Sequence, residues 1–355
     1  MAAHITSTTD LTAPVNYVLF ETFLRRANQA LVYMSVTMPG KLNRHDGSFT
    51  VKWRRYEQEA PSTTTLSQKT GNVSFPVRTA NTPDMTDVTA AVAKYGAFFL
   101  LNEEVDVVNP SGYDDQLMGV LGEMAGRSMN RLARDEMEDN ATQLRVNGAA
   151  SDATIDRALS LNALKGAVKV LNKNSALTWT DGTTGSSNYG TSPIRKGFFL
   201  IAHTDVAADI EAMAGFRGVE TYSGQTAAKP NEIGYVNRCR VLETEEASIN
   251  TNGGGTAATN GLITTGGTAA DLYESILVGQ YAVGSVGLDG APPDDFSMAA
   301  DRHPTIEMIV HGKGTSGVAD PLNDLNSMGY KFWYKTKIVN STWIRRVTSG
   351  ATLHQ

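Results

Sequence analysis

Cys239 is the single cysteine of the 355-residue chain, and it lies between Arg238 and Arg240. Flanking cations can lower the pKa of a thiol and activate it as a nucleophile. The surrounding residues, RCRVLET, have a strand pattern, however, which favours a thiol that faces a core. One cysteine also excludes an internal disulfide and a CxxC zinc motif. We therefore expect Cys239 to be structural.

The segment GKGTSG, residues 312–317, has the GxGxxG spacing of a dinucleotide-binding loop. That chemistry requires a helix whose N-terminus faces the pyrophosphate, and the following VADPLNDLNSMG, with Pro321, does not favour one. The six histidines are dispersed without an HExxH pair, and no GxSxG elbow is present. We expect no cofactor and no metal.

Adjacent carboxylates occur at Glu103-Glu104, Asp114-Asp115 and Asp294-Asp295. Neighbouring residues on a strand or loop point apart, so these pairs are poor acid–base dyads. No group of residues predicts catalysis, and we expect a protein that is not an enzyme. A hydrolase with an unrecognised site stays an alternative, which predicts a pocket holding an acid or base with a perturbed pKa.

The composition is that of a globular protein, with 41% apolar and 19% charged residues. The net charge of −6 argues against a protein that mainly coats phosphates. No run approaches the roughly 20 apolar residues that span a bilayer, and the first residues do not have the pattern of a signal peptide. These features predict a soluble protein of a cytosol-like compartment with one large or two interleaved domains.

The longest predicted element is a helix over residues 114–146, which we name the spine helix. Gly148 is suited to end it. Apolar and small residues run down one side at helical spacing: Leu117, Leu121, Met124, Ser128, Leu132, Glu136, Asn140 and Leu144, supported by Ala125, Met129, Ala133 and Ala141.

Other patterns predict a mixture of helices and strands. SFTVKWRRYEQ alternates as a strand, and MTDVTAAVAKYGAFFLL returns after a polar excursion, which together predict a long hairpin. A two-stranded hairpin is barely stable alone, so it must lean on other structure. Residues 161–171 predict a second helix. Farther along the chain, KGFFLIAH predicts a strand and DVAADIEAMAG predicts a further helix. The uncharged, Gly- and Thr-rich segment 251–270 predicts a surface loop that packs no core.

Near the C-terminus, SMGYKFWYKTKIVNSTWIRRV combines aromatic and basic residues with a period of two. Tyr330, Phe332, Tyr334 and Ile338 share one face, and the lysines and Trp333 share the other. This favours a sheet strand with one buried face. Single-stranded nucleic acid binding by stacking is the less favoured alternative.

Six segments, in order, resemble the major capsid proteins of tailed bacteriophages, which have the Hong Kong 97-type shell fold. They are FTVKWRRYE, VTAAVAKYGAFFLLNEEVD, FFLIAHTDVAADIEAM, NEIGYVNRCRVLET, YESILVGQYAVGSVGL and ADPLNDLNSMGYKFWYKTKIVNSTWIRRV. Together they cover most of the chain from about residue 16 to residue 347. Thr204 and Asn231 depart from its common proline and glycine, and 251–270 has the character of an insertion.

The resemblance implies an α+β Hong Kong 97-like capsid fold. Its parts are an N-terminal arm with an amphipathic helix (1–46), an extended β-hairpin arm or E-loop (47–98), a peripheral domain with the spine helix (99–195), an inserted α/β axial domain (196–310) and a C-terminal strand part of the peripheral domain (311–355). It implies self-assembly into hexamers and pentamers of an icosahedral head that encloses double-stranded DNA.

The implied partners are further copies of the chain, a portal protein and the packaged DNA, bound without sequence preference. No membrane is involved, and the need for scaffold or decoration proteins stays open. The implied location is the virion, after assembly in the host cytoplasm. Another phage assembly subunit, such as a tail-tube or fibre protein, is the alternative.

Within this fold, the buried face of the C-terminal strand would pack near the spine helix, and its lysine side would face solvent or a neighbouring subunit. We also predict contacts between subunits through charged and aromatic residues. Lys52, Arg54, Arg55 and Arg78 of the hairpin are candidates to pair with carboxylates near Glu103 or Asp114 of a partner, although a solvated face would also explain them. Phe20 and Phe23 are the residues with which the N-terminal helix would clasp a neighbour, and packing on its own domain is equally open.

Overall fold

The computed structural model describes residues 31–43, 47–59, 61, 63, 83–108, 113–179, 196–221, 229, 231–257, 261–289, 306–311, 322 and 324–354. The α-helices of these residues are α1 (Val32–Ser35), α2 (Glu103–Val108), α3 (Tyr113–Asn140), α4 (Leu161–Lys173) and α5 (Thr204–Glu211).

The strands follow the chain from the end of the N-terminal segment to the C-terminus. They are β1 (Met38–Asn43), β2 (Thr50–Tyr56), β3 (Met85–Ala91), β4 (Ala93–Asn102), β5 (Thr142–Arg145), β6 (Phe198–His203), β7 (Arg217–Gly218), β8 (Glu232–Val236), β9 (Cys239–Thr244), β10 (Ile249–Asn250), β11 (Leu272–Val278), β12 (Val283–Asp289), β13 (Ile306–His311), β14 (Leu325–Ile338) and β15 (Ile344–Ser349).

The 14-residue strand β14 is the centre of a five-stranded sheet. It pairs antiparallel with β4, β13 and β12, and β1 joins β12 in parallel. Tyr330, Phe332, Tyr334 and Ile338 are buried on one face, as their alternation predicted. Because this face packs on α3, the structural interpretation of the C-terminal aromatic segment is confirmed.

An eight-stranded mixed sheet holds the second core. Its order is β5-β15-β11-β6-β9-β8-β7, with β10 paired to β11. α4 covers one face by burying Leu164, Ala167, Val168 and Leu171. Cys239 is fully buried in the same cluster, and burial raises the pKa of its thiol to about 12. The prediction of a structural cysteine is thereby confirmed.

The buried side of the spine helix α3 contains four residues of the predicted side, Leu121, Ala125, Met129 and Ala133, together with Met137, which was not predicted. These five side chains are fully buried against the sheet, whereas the predicted Met124, Ser128 and Leu132 are partly buried. Residues four apart form one row along a helix. Two alanines in this row allow the helix axis to approach the aromatic side chains of β14 closely.

The spine helix also ends earlier than predicted. It stops at Asn140, so its 28 residues span about 42 Å at 1.5 Å per residue. The next backbone groups pair in parallel with β15, where residues 142–145 lie beside 345–348. Asn147 and Gly148 then turn the chain with φ values of 59° and 70°. The prediction of one continuous helix over residues 114–146 is therefore wrong at its C-terminal end.

The Gly- and Thr-rich segment 251–270 is not a loop without a core. Ala257, Leu262 and Ala270 are buried and form a small cluster with Ala158. The amide of Ile263 donates to Ala351 O at 2.9 Å, and that of Leu353 donates to Gly261 O at 2.8 Å. Small residues allow the segment to lie against other backbone, which composition alone does not reveal.

Sheet membership crosses the predicted domain boundaries. Strand β12 and the described strand β13 of segment 196–310 lie in the five-stranded sheet, while β15 of segment 311–355 lies in the eight-stranded sheet. The division of the chain at 46, 98, 195 and 310 stays a prediction.

Candidate assembly surfaces

The hairpin stem, formed by β2 and β3, has two different faces. The strands pair antiparallel from Thr50 with Ala91 to Tyr56 with Met85. Burial alternates along both strands, as a period of two requires. Val51, Trp53 and Arg55 lie on the more buried face, which we call the inner face, and the opposite face is exposed.

Trp53 seats the inner face on the five-stranded sheet. It packs with Val51 against Leu42, Val92 and Val286. A β-carbon at Gly284 of β12 would lie only 2.9 Å from the indole ring, so the position of Trp53 on the sheet requires glycine there. The stem therefore leans on its own chain, which supplies the support that an isolated hairpin lacks.

Two further contacts hold the base of the hairpin. The ring of Phe49 stacks on Trp333 with centroids 5.0 Å apart and planes within 3°. Arg55 donates from Nη1 to Val339 O at 2.7 Å and forms an ion pair with Glu57. This hydrogen-bonded pair lowers the pKa of Glu57. The Arg55 guanidinium thus contacts its own chain.

The outer face of the stem has two cations around one carboxylate. Arg54 donates to both oxygens of Asp87, at 2.9 and 3.2 Å, and the ammonium of Lys52 lies 2.5 Å from the same carboxylate. Hydrogen bonds from Arg54 and then Lys52 hold the pKa of Asp87 well below its usual range. Two cations share one carboxylate, so this face has one positive charge in excess. Because exposed pairs contribute little to stability, these charges are suited to contacts outside the chain.

The short helix α2 presents the opposite charge together with apolar side chains. Glu103 and Glu104 are exposed at its start, and Val107 and Val108 are 76% and 58% exposed at its end. The amide of Glu103 donates to Asp324 O at 2.8 Å, which fixes the helix beside the five-stranded sheet. This surface combines an acidic edge with an apolar one.

Four of the predicted contact residues are not tested by these contacts. Phe20, Phe23 and Arg78 lie outside the described residues. Asp114 belongs to the first turn of α3, and its side chain is not described. Their roles stay predictions.

Lys335 and Lys337 of β14 were predicted to face solvent or a neighbour. Their side chains are 37% and 35% exposed, and their ammonium groups also lie 3.8 and 3.0 Å from the carboxylate of Glu136 on the spine helix. The lysine side is therefore partly solvated, and its ion pairs with Glu136 were not predicted.

A buried polar network joins the N-terminal segment to the spine helix. Glu246 accepts hydrogen bonds from Arg127 Nε at 2.7 Å and from Asn130 Nδ2 at 2.9 Å. Asn130 Oδ1 in turn accepts from the backbone amide of Tyr33 at 3.0 Å. The network therefore fixes α1, where the described chain begins, between α3 and the segment after β9.

Glu138 is the second buried acid of this region. Its Oε1 accepts from the amide of Ser248 at 3.3 Å and from the hydroxyl of Tyr33 at 3.4 Å, and Oε2 lies 3.5 Å from Arg134 Nε. Desolvation outweighs these contacts and raises the pKa of Glu138 to about 7. Burial also raises the pKa of Tyr33.

We expect Glu138→Gln to remove a pH-dependent loss of stability. The folded pKa of about 7 lies above the ordinary 4.5, so the folded chain binds the proton more tightly and loses stability as pH rises from 4.5 to 7. The shift of about 2.5 pKa units corresponds to about 3 kcal/mol at 1.36 kcal/mol per unit, most of which is lost between pH 5 and pH 8. Urea unfolding of the unassembled chain at pH 5 and pH 8 measures it.

The matched control for this experiment is Asp139→Asn, which neutralises an exposed acid on the same helix. The free energy of unfolding of the Glu138→Gln variant, relative to the wild type, should rise between pH 5 and pH 8. The Asp139→Asn difference should stay flat. A flat difference for Glu138→Gln as well would contradict the raised pKa.

The described residues contain no group of three or more His, Cys, Asp or Glu side chains placed to hold a metal ion. Nor does the described part of the chain contain a helix long and apolar enough to cross a membrane.

No protein-family model matches the chain, and no curated protein sequence matches it. Solved structures do. The chain is similar to the capsid asymmetric unit of cyanophage Pam1, with a TM-score of 0.60, 13% identity and 100% of both chains covered. It has the phage capsid-protein fold.

Two further structures agree with the phage capsid-protein fold. The capsid of cyanophage P-SCSP1u has a TM-score of 0.56 and 10% identity over 96% of this chain and 93% of that one. The capsid of Ralstonia phage GP4 has a TM-score of 0.56 and 8% identity over 100% of this chain and 97% of that one. The fold predicted from six short segments is confirmed.

Sequence reasoning missed several residues that position the surfaces of this capsid fold. Asp87 pairs with Arg54 because the two lie opposite each other in the hairpin register, and that register depends on a connection too long to predict. The seat of Trp53 on Gly284 joins residues far apart in the chain, and no local pattern indicates it.

Proposed function

We propose that this chain is the major capsid protein of a tailed phage, which self-assembles into hexamers and pentamers of an icosahedral head around double-stranded DNA. The observation that carries the proposal is the similarity to the Pam1 capsid chain over 100% of both chains. A protein that shares only one capsid-like domain would match part of the length. Full coverage favours a shell subunit over a tail-tube or fibre subunit.

The role proposed here is structural and non-enzymatic, and its location is the virion. Burial in the core makes Cys239 a poor nucleophile, since the raised pKa keeps the thiol protonated at neutral pH. Assembly in the host cytoplasm, contact with a portal protein and enclosure of DNA are parts of the same proposal. The main partner is a second copy of the chain.

We propose that the outer face of the hairpin stem contacts α2 of a neighbouring copy. The stem offers the surplus positive charge of Lys52 and Arg54 beside exposed Tyr56 and Met85, which are 65% and 53% exposed. The α2 surface offers Glu103 with exposed valines. Opposite charge and apolar edges on both sides make these surfaces complementary. Arg55 is less suited to this contact because its guanidinium faces its own chain.

Neutralising both sides of this contact should reveal their coupling. Arg54→Gln and Glu103→Gln are each expected to raise the critical concentration for assembly about two- to fivefold, a small effect because an exposed pair contributes little. The double variant should be no worse than either single variant, because both remove the same interaction. Static light scattering against protein concentration measures the threshold.

Arg217→Gln is the control for charge loss, since Arg217 is exposed on the eight-stranded sheet, away from the hairpin. It should leave the threshold unchanged. Additive effects of Arg54→Gln and Glu103→Gln would show that the two residues act at different contacts, and the proposed pairing would then be dropped.

Sedimentation velocity of the purified chain tests the proposed function itself. The subunit mass is 38.1 kDa, and we expect discrete ring-sized species together with much larger closed particles. Contacts in the micromolar range, about 8 kcal/mol each, hold a shell durably once every subunit makes several of them. A folded chain that stays monomeric as its concentration rises would argue against a shell subunit.

A further inference from the structure

Helix α4 has an exposed face whose charged residues are all cations. Lys165, Lys169 and Lys173 are exposed and spaced four residues apart, so they form one row along the helix. At a rise of 1.5 Å per residue the row is about 12 Å long. The opposite side of the helix is buried in the second core, so the row is held on a fixed element.

No acid accompanies this row, which we call the lysine stripe. Residues 157–180 contain four cationic side chains and no Asp or Glu, in a chain with 37 acids and 31 Lys or Arg. Among the described residues, the three lysines form no ion pair. Lys52, Arg127 and Arg145 lie within 4 Å of a carboxylate. Lys94, Arg131 and Arg217 are exposed cations without such a pair in the described part of the chain, but they stand singly on different elements. The stripe therefore differs from the other exposed cations by its regular spacing on one helix.

One more cation lies on the sheet that α4 covers. Arg345 of β15 is two residues from Val347, which packs with α4, so both lie on the face that α4 covers. Its Nη1 donates to Ser341 O and Ile344 O, at 3.1 and 3.0 Å. These are neutral carbonyl groups, so they leave the positive charge uncompensated.

The stripe has an energetic cost that a merely solvated face would avoid. Lysines four residues apart on a helix repel each other by about 0.2–0.5 kcal/mol per pair, and a glutamate in place of Lys169 would convert both repulsions into attractions. An unbalanced cationic row fits a partner that brings closely spaced negative charges. Duplex DNA carries one charge per roughly 1.7 Å of its axis, so a 12 Å row meets several phosphates.

We propose that the lysine stripe binds the phosphate backbone of double-stranded DNA without sequence preference. The identity of the polyanion rests on the proposed function, in which the stripe would line the inside of the shell and touch the packaged genome. Three or four phosphate contacts give weak binding that salt reverses easily, which is compatible with DNA entering and leaving the shell.

The test is fluorescence anisotropy of a labelled duplex of about 30 base pairs with the purified full chain between 50 and 200 mM NaCl. Three contacts predict a slope of log K against log salt of about −2.7, from 0.9 per phosphate. The variant K165Q/K169Q/K173Q should lose most of this slope and at least tenfold in affinity at 50 mM. The variant K165R/K169R/K173R should keep both.

A matched control removes the same charge elsewhere. K94Q/R131Q/R217Q neutralises three exposed cations scattered over other elements, and it should change the affinity less than twofold. Equal losses in both triple variants would mean that net charge alone governs binding, which would overturn the proposal. Unchanged DNA binding in K165Q/K169Q/K173Q would also overturn it. If this variant changed only the mass of the assembled particles, the stripe would instead belong to a contact between copies.

The proposal and the proposed function fail in different ways. Particles that form normally from a chain that does not bind the duplex at 50 mM NaCl would refute the lysine stripe and leave the capsid role standing. Stripe-dependent DNA binding by a chain that never assembles would refute the capsid role and keep the binding surface.

Discussion

Trp53→Ala is expected to raise the protein concentration needed for assembly about 10- to 30-fold while the subunit stays folded. The half-buried indole seats the hairpin stem on Gly284 and on the cluster of Leu42, Val92 and Val286. Truncating it removes about 2 kcal/mol of apolar contact. Without this contact the orientation of the stem is no longer fixed by the sheet. Each contact with a neighbouring subunit must then also offset the entropy lost when the hairpin is ordered.

Light scattering against concentration gives the assembly threshold of this variant, and circular dichroism shows whether the subunit remains folded. Leu177→Ala is the control, because it removes an apolar side chain that is 46% exposed and lies outside the hairpin. It should leave the threshold unchanged. An unaltered assembly concentration for Trp53→Ala would show that the orientation of the stem does not depend on the contact of Trp53 with the sheet.

Phe332→Ala should lower the free energy of unfolding by about 3–5 kcal/mol, the range for a fully buried aromatic side chain. Phe332 is 1% exposed and contacts Tyr95, Tyr330 and Tyr334 through its ring. It lies in the core cluster shared by β14 and the spine helix. The cavity would therefore loosen the packing between the central strand and the longest helix. Urea unfolding of the unassembled chain measures the change.

Phe98→Ala provides the comparison on the same sheet, since Phe98 lies on the neighbouring strand β4 and is 64% exposed. We expect it to change the free energy of unfolding by less than 1 kcal/mol. A loss below 1 kcal/mol for Phe332→Ala would mean that the spine helix and β14 do not form the main core.

The fold could be predicted where a single element carries its own signal. The alternation of Tyr330, Phe332 and Tyr334 identified the buried face of β14, and the spacing of Leu164, Val168 and Leu171 identified α4. Both patterns reflect burial on one side, which is a local property of the sequence.

Prediction failed where a distant segment decided the outcome. The spine helix ends at Asn140 because β15 pairs with the residues that follow, and β15 is about 200 residues away in the chain. Segment 251–270 packs because Ala351 and Leu353 supply hydrogen-bond partners. Neither partner can be read from the segment itself.

The candidate site was predicted in part. The charges of Lys52 and Arg54 were recognised, but their carboxylate at Asp87 depends on the hairpin register. The lysine stripe on α4 is visible as a four-residue spacing in the sequence. Its meaning emerges only when the structure shows that these lysines have no ion-pair partner within the described residues.

Electron microscopy of the purified chain in negative stain tests whether it forms a shell. We expect closed particles and rings whose class averages have fivefold and sixfold symmetry, with fewer of both in the Trp53→Ala variant at the same concentration. Filaments or tubes without fivefold rings would instead support a tail-type subunit. A uniform field of folded monomers at high concentration would contradict the capsid function.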